Sequence, residues 1–192
     1  MNQVGTGNVR AAELELADFL GWKESARLEL AWEEVWAELG FEFPTSHRDF
    51  LRVFPSGVMS EYIYIWSPAQ SRRWLEAYKW KLKSKGAYFM GVRPKLPEDY
   101  PHLFFPEPGG LIPWAEGDEH TYFWRPVERQ VADQWPIVFM DNTGDGWGEY
   151  QGTSAEFLLD LLTGALVSDI LYTDWPESER SYVVAPEPLL PN

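Results

Sequence analysis

The sequence predicts an α+β fold: a single domain whose twisted, mostly antiparallel central sheet is flanked by helices. Three observations carry that prediction. Apolar residues recur at helical spacing in the first half of the chain, and short aromatic and β-branched runs separated by acidic or Gly-rich turns fill residues 111–150. No repeat, low-complexity tract or linker divides the 192 residues, so one domain over 1–175 is expected, followed by a loosely attached proline-rich tail, 176–192.

The elements follow in order. Leu16, Phe19 and Leu20 mark one side of a helix from Val9 to Leu20, with Gly21 as its stop. Leu28, Trp32, Val35, Trp36 and Leu39 repeat as a helical face, and Gly40 sits where a left-handed C-terminal residue is needed. Thr45 or Ser46 is expected to cap a shorter helix holding Phe50, Leu51 and Phe54. Glu61 to Trp66, dense in aromatic and β-branched residues, reads as the first strand. Ser67 and Pro68 are then expected to open a basic helix carrying Trp74, Leu75, Tyr78 and Leu82 on its apolar stripe.

Five prolines make residues 94–110 an irregular connector within the domain. Strands are expected at Leu111–Ala115, His120–Trp124, Trp135–Met140 and Trp147–Tyr150, joined as hairpins because they are short and adjacent. Thr153 and Glu156 spell a capping box for a last helix with Phe157, Leu158, Leu161 and Leu162 inward and Gly164 at its end.

Composition narrows the function. With 45% hydrophobic and 16% aromatic residues the core should be rich in rings. There is no cysteine, which removes disulfides, thiolate nucleophiles and Cys-based metal sites. The polar start and the lack of a bilayer-length apolar stretch lead to the expectation of a cytoplasmic protein with no membrane partner. The net charge of −14 is uneven: residues 1–60 sum to −5, residues 61–95 to +6 and residues 96–192 to −15. Such a chain is a poor match for a polyanionic nucleic acid, whose binding requires cations to displace counterions. The basic stretch Arg72 to Lys85 reads as the solvated face of its helix.

Motifs for catalysis are weak throughout. His47, His102 and His120 are scattered and have no metal-ligand spacing. Asp141 to Gly146 has a faint likeness to a calcium loop, but the twelfth position is Gly152 where a bidentate Glu is required, so a tight turn is the better reading. Gly144, Gly146 and Gly148 fail the dinucleotide pattern at Glu149. Glu33, Glu34 and Glu38, or Asp118 and Glu119, could in principle form an acid/base pair, yet acids on helix faces and turns are expected at this composition. No enzyme, metal or cofactor is predicted.

The order of these pieces resembles a family pattern. Trp32, Val35, Leu39-Gly40, Phe43-Pro44, Arg48, Phe50-Leu51, Gly57 and Tyr62 to Trp66 with Pro68 are similar to the N-terminal signature of the SUKH superfamily. Gly110 to Ala115, Tyr122 to Trp124, Trp135 to Val138, Trp147, Tyr150, Ser154, Glu156 to Leu158 and Leu162 to Gly164 follow its second half, so the resemblance spans about residues 28–166. Phe54-Pro55-Ser56-Gly57 departs from the more usual Gly-x-Gly turn. The resemblance implies a fold without catalytic machinery. It also implies an immunity protein that neutralises a toxin, often a nuclease, as bacterial members do, or else a regulatory or scaffold protein, as in the fungal cell-wall assembly regulator.

The residues themselves suggest where a basic protein partner would bind. The acidic turns of the sheet half, Glu116, Asp118 and Glu119 and then Asp141, Asp145 and Glu149, lie where loops can vary without disturbing packing.

Overall fold

The computed structural model describes residues 6–144, 146–171 and 180–189. Its helices are α1 (Thr6–Phe19), α2 (Trp32–Leu39), α3 (Thr45–Val53), α4 (Arg72–Val92) and α5 (Ser154–Thr163). The strands are β1 (Gly57–Met59), β2 (Ile63–Ile65), β3 (Ile112–Gly117), β4 (His120–Trp124), β5 (Ile137–Asp141), β6 (Trp147–Tyr150) and β7 (Tyr182–Val184). They form one sheet in the order β6-β5-β4-β3-β2-β1-β7, with every neighbouring pair antiparallel. The fold is therefore α+β. Among the described residues, no helix is long and apolar enough to cross a membrane.

Local chemistry sets the helix ends. Gly40 and Gly164 take left-handed φ values of 80° and 76°, and their N–H groups bond back to Trp36 and Leu161. At α5 the Thr153 hydroxyl accepts from the Glu156 N–H at 3.2 Å, while the Glu156 carboxylate accepts from the Thr153 N–H at 2.8 Å. Two donors that the helix would otherwise leave open are thereby satisfied.

Other expectations need correction. The basic helix does not begin at Ser67-Pro68; those residues form a turn closed by Gln70 N–H to Ser67 O, and Ser71 caps α4. The turn presents the Ala69 carbonyl, which accepts from both Glu29 and Leu30 N–H at 3.0 Å, so the chain ahead of α2 is tied down there and α2 starts only at Trp32. Neither Thr45 nor Ser46 caps α3. They lie in its first turn after Pro44, and Asp133 supplies the missing acceptor by taking the Ser46 N–H at 2.7 Å.

The largest correction concerns the tail. Residues 182–184 form β7 on the free edge of β1, and Tyr182 is buried, its ring edge-on to Trp22 and Phe54 and its hydroxyl donating to the Pro55 carbonyl. Gly57 makes this approach possible, because a Cβ there would lie 2.5 Å from the Val183 carbonyl oxygen. Residues 176–179 and 190–192 lie outside the described residues.

Strand alternation divides the core. Tyr122, Trp124, Ile137 and Phe139 join the larger cluster, to which all five helices contribute, with Phe157 ringed by Trp114, Tyr122, Phe139 and Tyr150. Phe123, Val138 and Met140, on the opposite face, pack with Phe89 of α4 and with Tyr100 and Phe104 of the connector. Both faces of β4 and β5 are covered. The consequence is that only the rims of this half of the sheet reach solvent.

Candidate functional site

Two hairpin turns meet at one end of the sheet because β4 and β5 pair with His120 opposite Asp141. Asn142 ties them together. Its backbone N–H donates to the Glu119 carbonyl at 2.7 Å, its side-chain amide donates to the Asp118 carbonyl at 2.9 Å, and its amide oxygen accepts from the Thr121 hydroxyl at 2.9 Å. His120 extends the clamp, its Nε2 lying 2.8 Å from the Ile170 carbonyl oxygen. Asp118 and Glu119 are thus exposed on a rigid support, and neither carboxylate pairs with any described residue.

The other acidic candidates are arranged differently. Glu116 lies between Lys81 at 2.5 Å and Lys85 at 2.8 Å. Burial alone would raise its pKa, but Lys85 and Lys81 outweigh that effect and hold it below the usual carboxylate range. Asp141 holds its own turn, with Oδ1 accepting from the Thr143 N–H, the Thr143 hydroxyl and the Gly144 N–H. Glu149 stands on the edge strand opposite Val138 and pairs with Arg125 at 2.7 Å. Asp145 lies outside the described residues. Of the six acids, the structure brings together Asp118 and Glu119, which pair with no described residue, and gives Glu116, Asp141 and Glu149 internal partners.

Most cations of the basic helix have acidic partners within the chain. Arg72 bonds to Glu34 and Glu38 of α2, Lys79 bonds to Glu38 and Glu76 at 3.0 and 3.1 Å, and Lys81 and Lys85 bond to Glu116. Hydrogen bonds from Arg72 and Lys79 keep the Glu38 pKa low. These pairs account for Glu34 and Glu38, so neither is poised as a catalytic acid or base. Arg72, Arg73 and Lys83 are exposed, as a solvated face requires, and the same row of cations also bridges α4 to α2 and β3.

The histidines occupy three separate places. His102 stacks edge-on against Trp147, and His120 serves the clamp. His47 is fully buried, with Nδ1 2.8 Å from the Ser154 hydroxyl and its ring among Phe43, Phe50, Trp114 and Trp124. Burial pushes its pKa down to about 3. A serine beside a histidine invites a catalytic reading. Here Ser154 is also buried, and Nε2 of His47 has no partner that could orient the ring as a triad requires. Among the described residues no group of three His, Cys, Asp or Glu is placed to hold a metal ion.

Glu13 is the polar group that the sequence reading missed. It is 3% exposed, neither oxygen bonds to another described residue, and burial, with the Asp49 and Glu156 carboxylates adding, outweighs a bond from its own backbone and raises its pKa to about 7. A signal was present, since residues 13, 16, 17 and 20 form one helical stripe and three of them are apolar.

No family model, curated protein or solved structure matches the chain.

Proposed function

We propose that this chain is a non-catalytic, SUKH-like binding domain of the cytoplasm that neutralises a basic toxin by direct contact. The observation that carries this reading is the pair Asp118 and Glu119, exposed and unpaired among the described residues on a turn that Asn142 fixes to its neighbour. Free carboxylates on a rigid support accelerate the approach of a basic surface, whereas carboxylates already paired add little to it. The ordered resemblance over residues 28–166 supports the family. The buried positions of His47 and Ser154 and the ion-paired state of Glu34 and Glu38 agree with a role in binding instead of turnover.

Growth rescue is the test. The product of the gene adjoining this one is expressed alone and together with this chain, and cell growth is followed. The proposal expects arrest in the first case and recovery in the second. A neighbour without toxicity, or arrest that persists despite soluble co-expression, would count against it.

A further inference from the structure

One residue from each strand forms a continuous row across the sheet: Trp147, Met140, Thr121, Glu116, Tyr64, Val58 and Val183, each directly opposite the next. Residues opposed in this way share a face. At one end of the row Met140 and Thr121 are buried, Trp147 packs on the smaller cluster, and Lys85 reaches over Thr121 and Glu116. At the other end the row is open among the described residues: Tyr64 is 40% exposed and Val183 61%.

Carboxylates border this open half. The β1–β2 turn places Ser60 and Glu61 at φ 49° and 66°, closed by Tyr62 N–H to Met59 O, so Glu61 is held outward beside Tyr62. On the adjoining strand, the Tyr62 carbonyl oxygen lies 3.3 Å from where a Cβ on Gly117 would sit, which sets Asp118 next to the tyrosines. Glu61, Asp118 and Glu119 are exposed and pair with no described residue, while Lys81 and Lys85 are engaged by Glu116.

We infer that Val58, Tyr64 and Val183, rimmed by Glu61, Asp118 and Glu119, form a docking face for a basic protein segment in which Arg or Lys alternates with apolar residues. This rests on the proposed role of the Asp118 and Glu119 end and extends that interface onto the sheet. Charge complementarity selects the occupant. Apolar side chains of the segment cover the two valines, and its cations lie over the Tyr64 ring and meet the rim carboxylates. Tyrosine suits this task because its ring offers a broad face to a guanidinium at small entropic cost.

The test uses the full chain, ¹⁵N-labelled and titrated with acetyl-Arg-Leu-Arg-Leu-Arg-amide, with the corresponding Glu-Leu peptide as control. Amide shifts are expected at Tyr62, Tyr64, Val183 and Asp118 with the arginine peptide and not with the control. Tyr64→Ala and, separately, Val183→Glu should each weaken binding roughly three- to tenfold, a size set by cation–π and small apolar contacts, with thermal unfolding unchanged. Shifts confined to Asp118 and Glu119 would overturn the docking face while leaving the acidic end intact. No shift at either place would remove support from both. Preference for the glutamate peptide, or concentration-dependent self-association abolished by Tyr64→Ala, would assign the face to another occupant and overturn the inference.

Discussion

The Asn142 N–H donates to the Glu119 carbonyl oxygen at 2.7 Å, joining two turns that are 23 residues apart in sequence. The Asn142 side chain adds bonds to Asp118 and Thr121. Asn142→Ala removes those two and retains the backbone contact. The expected loss of global stability is about 1 kcal/mol, because each net hydrogen bond contributes modestly. Hydrogen exchange should rise at residues 118–121 while β2 and α5 stay protected. Unchanged exchange in the turn would mean that Asn142 is not the clamp.

Tyr182 is expected to behave as a core residue. Tyr182→Ala should cost about 3 kcal/mol in a denaturant melt, comparable with Trp32→Ala and Phe157→Ala, which empty ring-lined sites of their own. Deleting residues 180–192 should cost at least as much. A deletion with little effect would show that β7 contributes nothing to the stability of the sheet.

Glu13 makes stability depend on pH. Its pKa rises from an ordinary 4.5 to about 7 in the folded chain, so the folded state holds the proton more tightly across that interval. The penalty for ionising it is absent below pH 4.5 and complete above pH 7, as the chain unfolds more readily with rising pH. Asp49 is already paired with Arg52, and the Glu156 carboxylate already accepts from Thr153, so neither relieves it. Glu13→Gln should therefore stabilise the protein at pH 8 by on the order of 2 kcal/mol and change little at pH 4. Equal effects at both values would contradict the account.

Much of the fold was legible because local rules and tertiary packing agreed. Thr153 with Glu156, Gly40 and Gly164 each specify a helix end through their own backbone chemistry, and the structure uses them so. The misses share a different cause. Ser67 is a sound cap in isolation, but its segment is committed to a turn that receives Glu29 and Leu30, and Asp133 caps α3 from 87 residues away in place of Thr45. Tyr182 lies among prolines that suggest a tail, and only the open edge of β1 and the glycine at position 57 make it a strand.

The candidate site followed the same division. That the turns carry acids could be read directly, but which acids are free could not. Lys81 and Lys85 reach Glu116 across 35 and 31 residues of sequence, and no local pattern foretells that pairing. The same long-range pairing bridges the basic helix to α2 and β3 while Arg72, Arg73 and Lys83 stay exposed.

The central claim is that Asp118 and Glu119 guide a basic partner. The most direct measurement is the association rate between this chain and the product of the adjoining gene, at low and high salt, for the wild type and for the double variant D118K/E119K. The account predicts an association rate at low salt at least tenfold slower in the variant, a flattened salt dependence and an unaltered melting temperature. Equal rates with equal salt slopes in two well-folded proteins would contradict it.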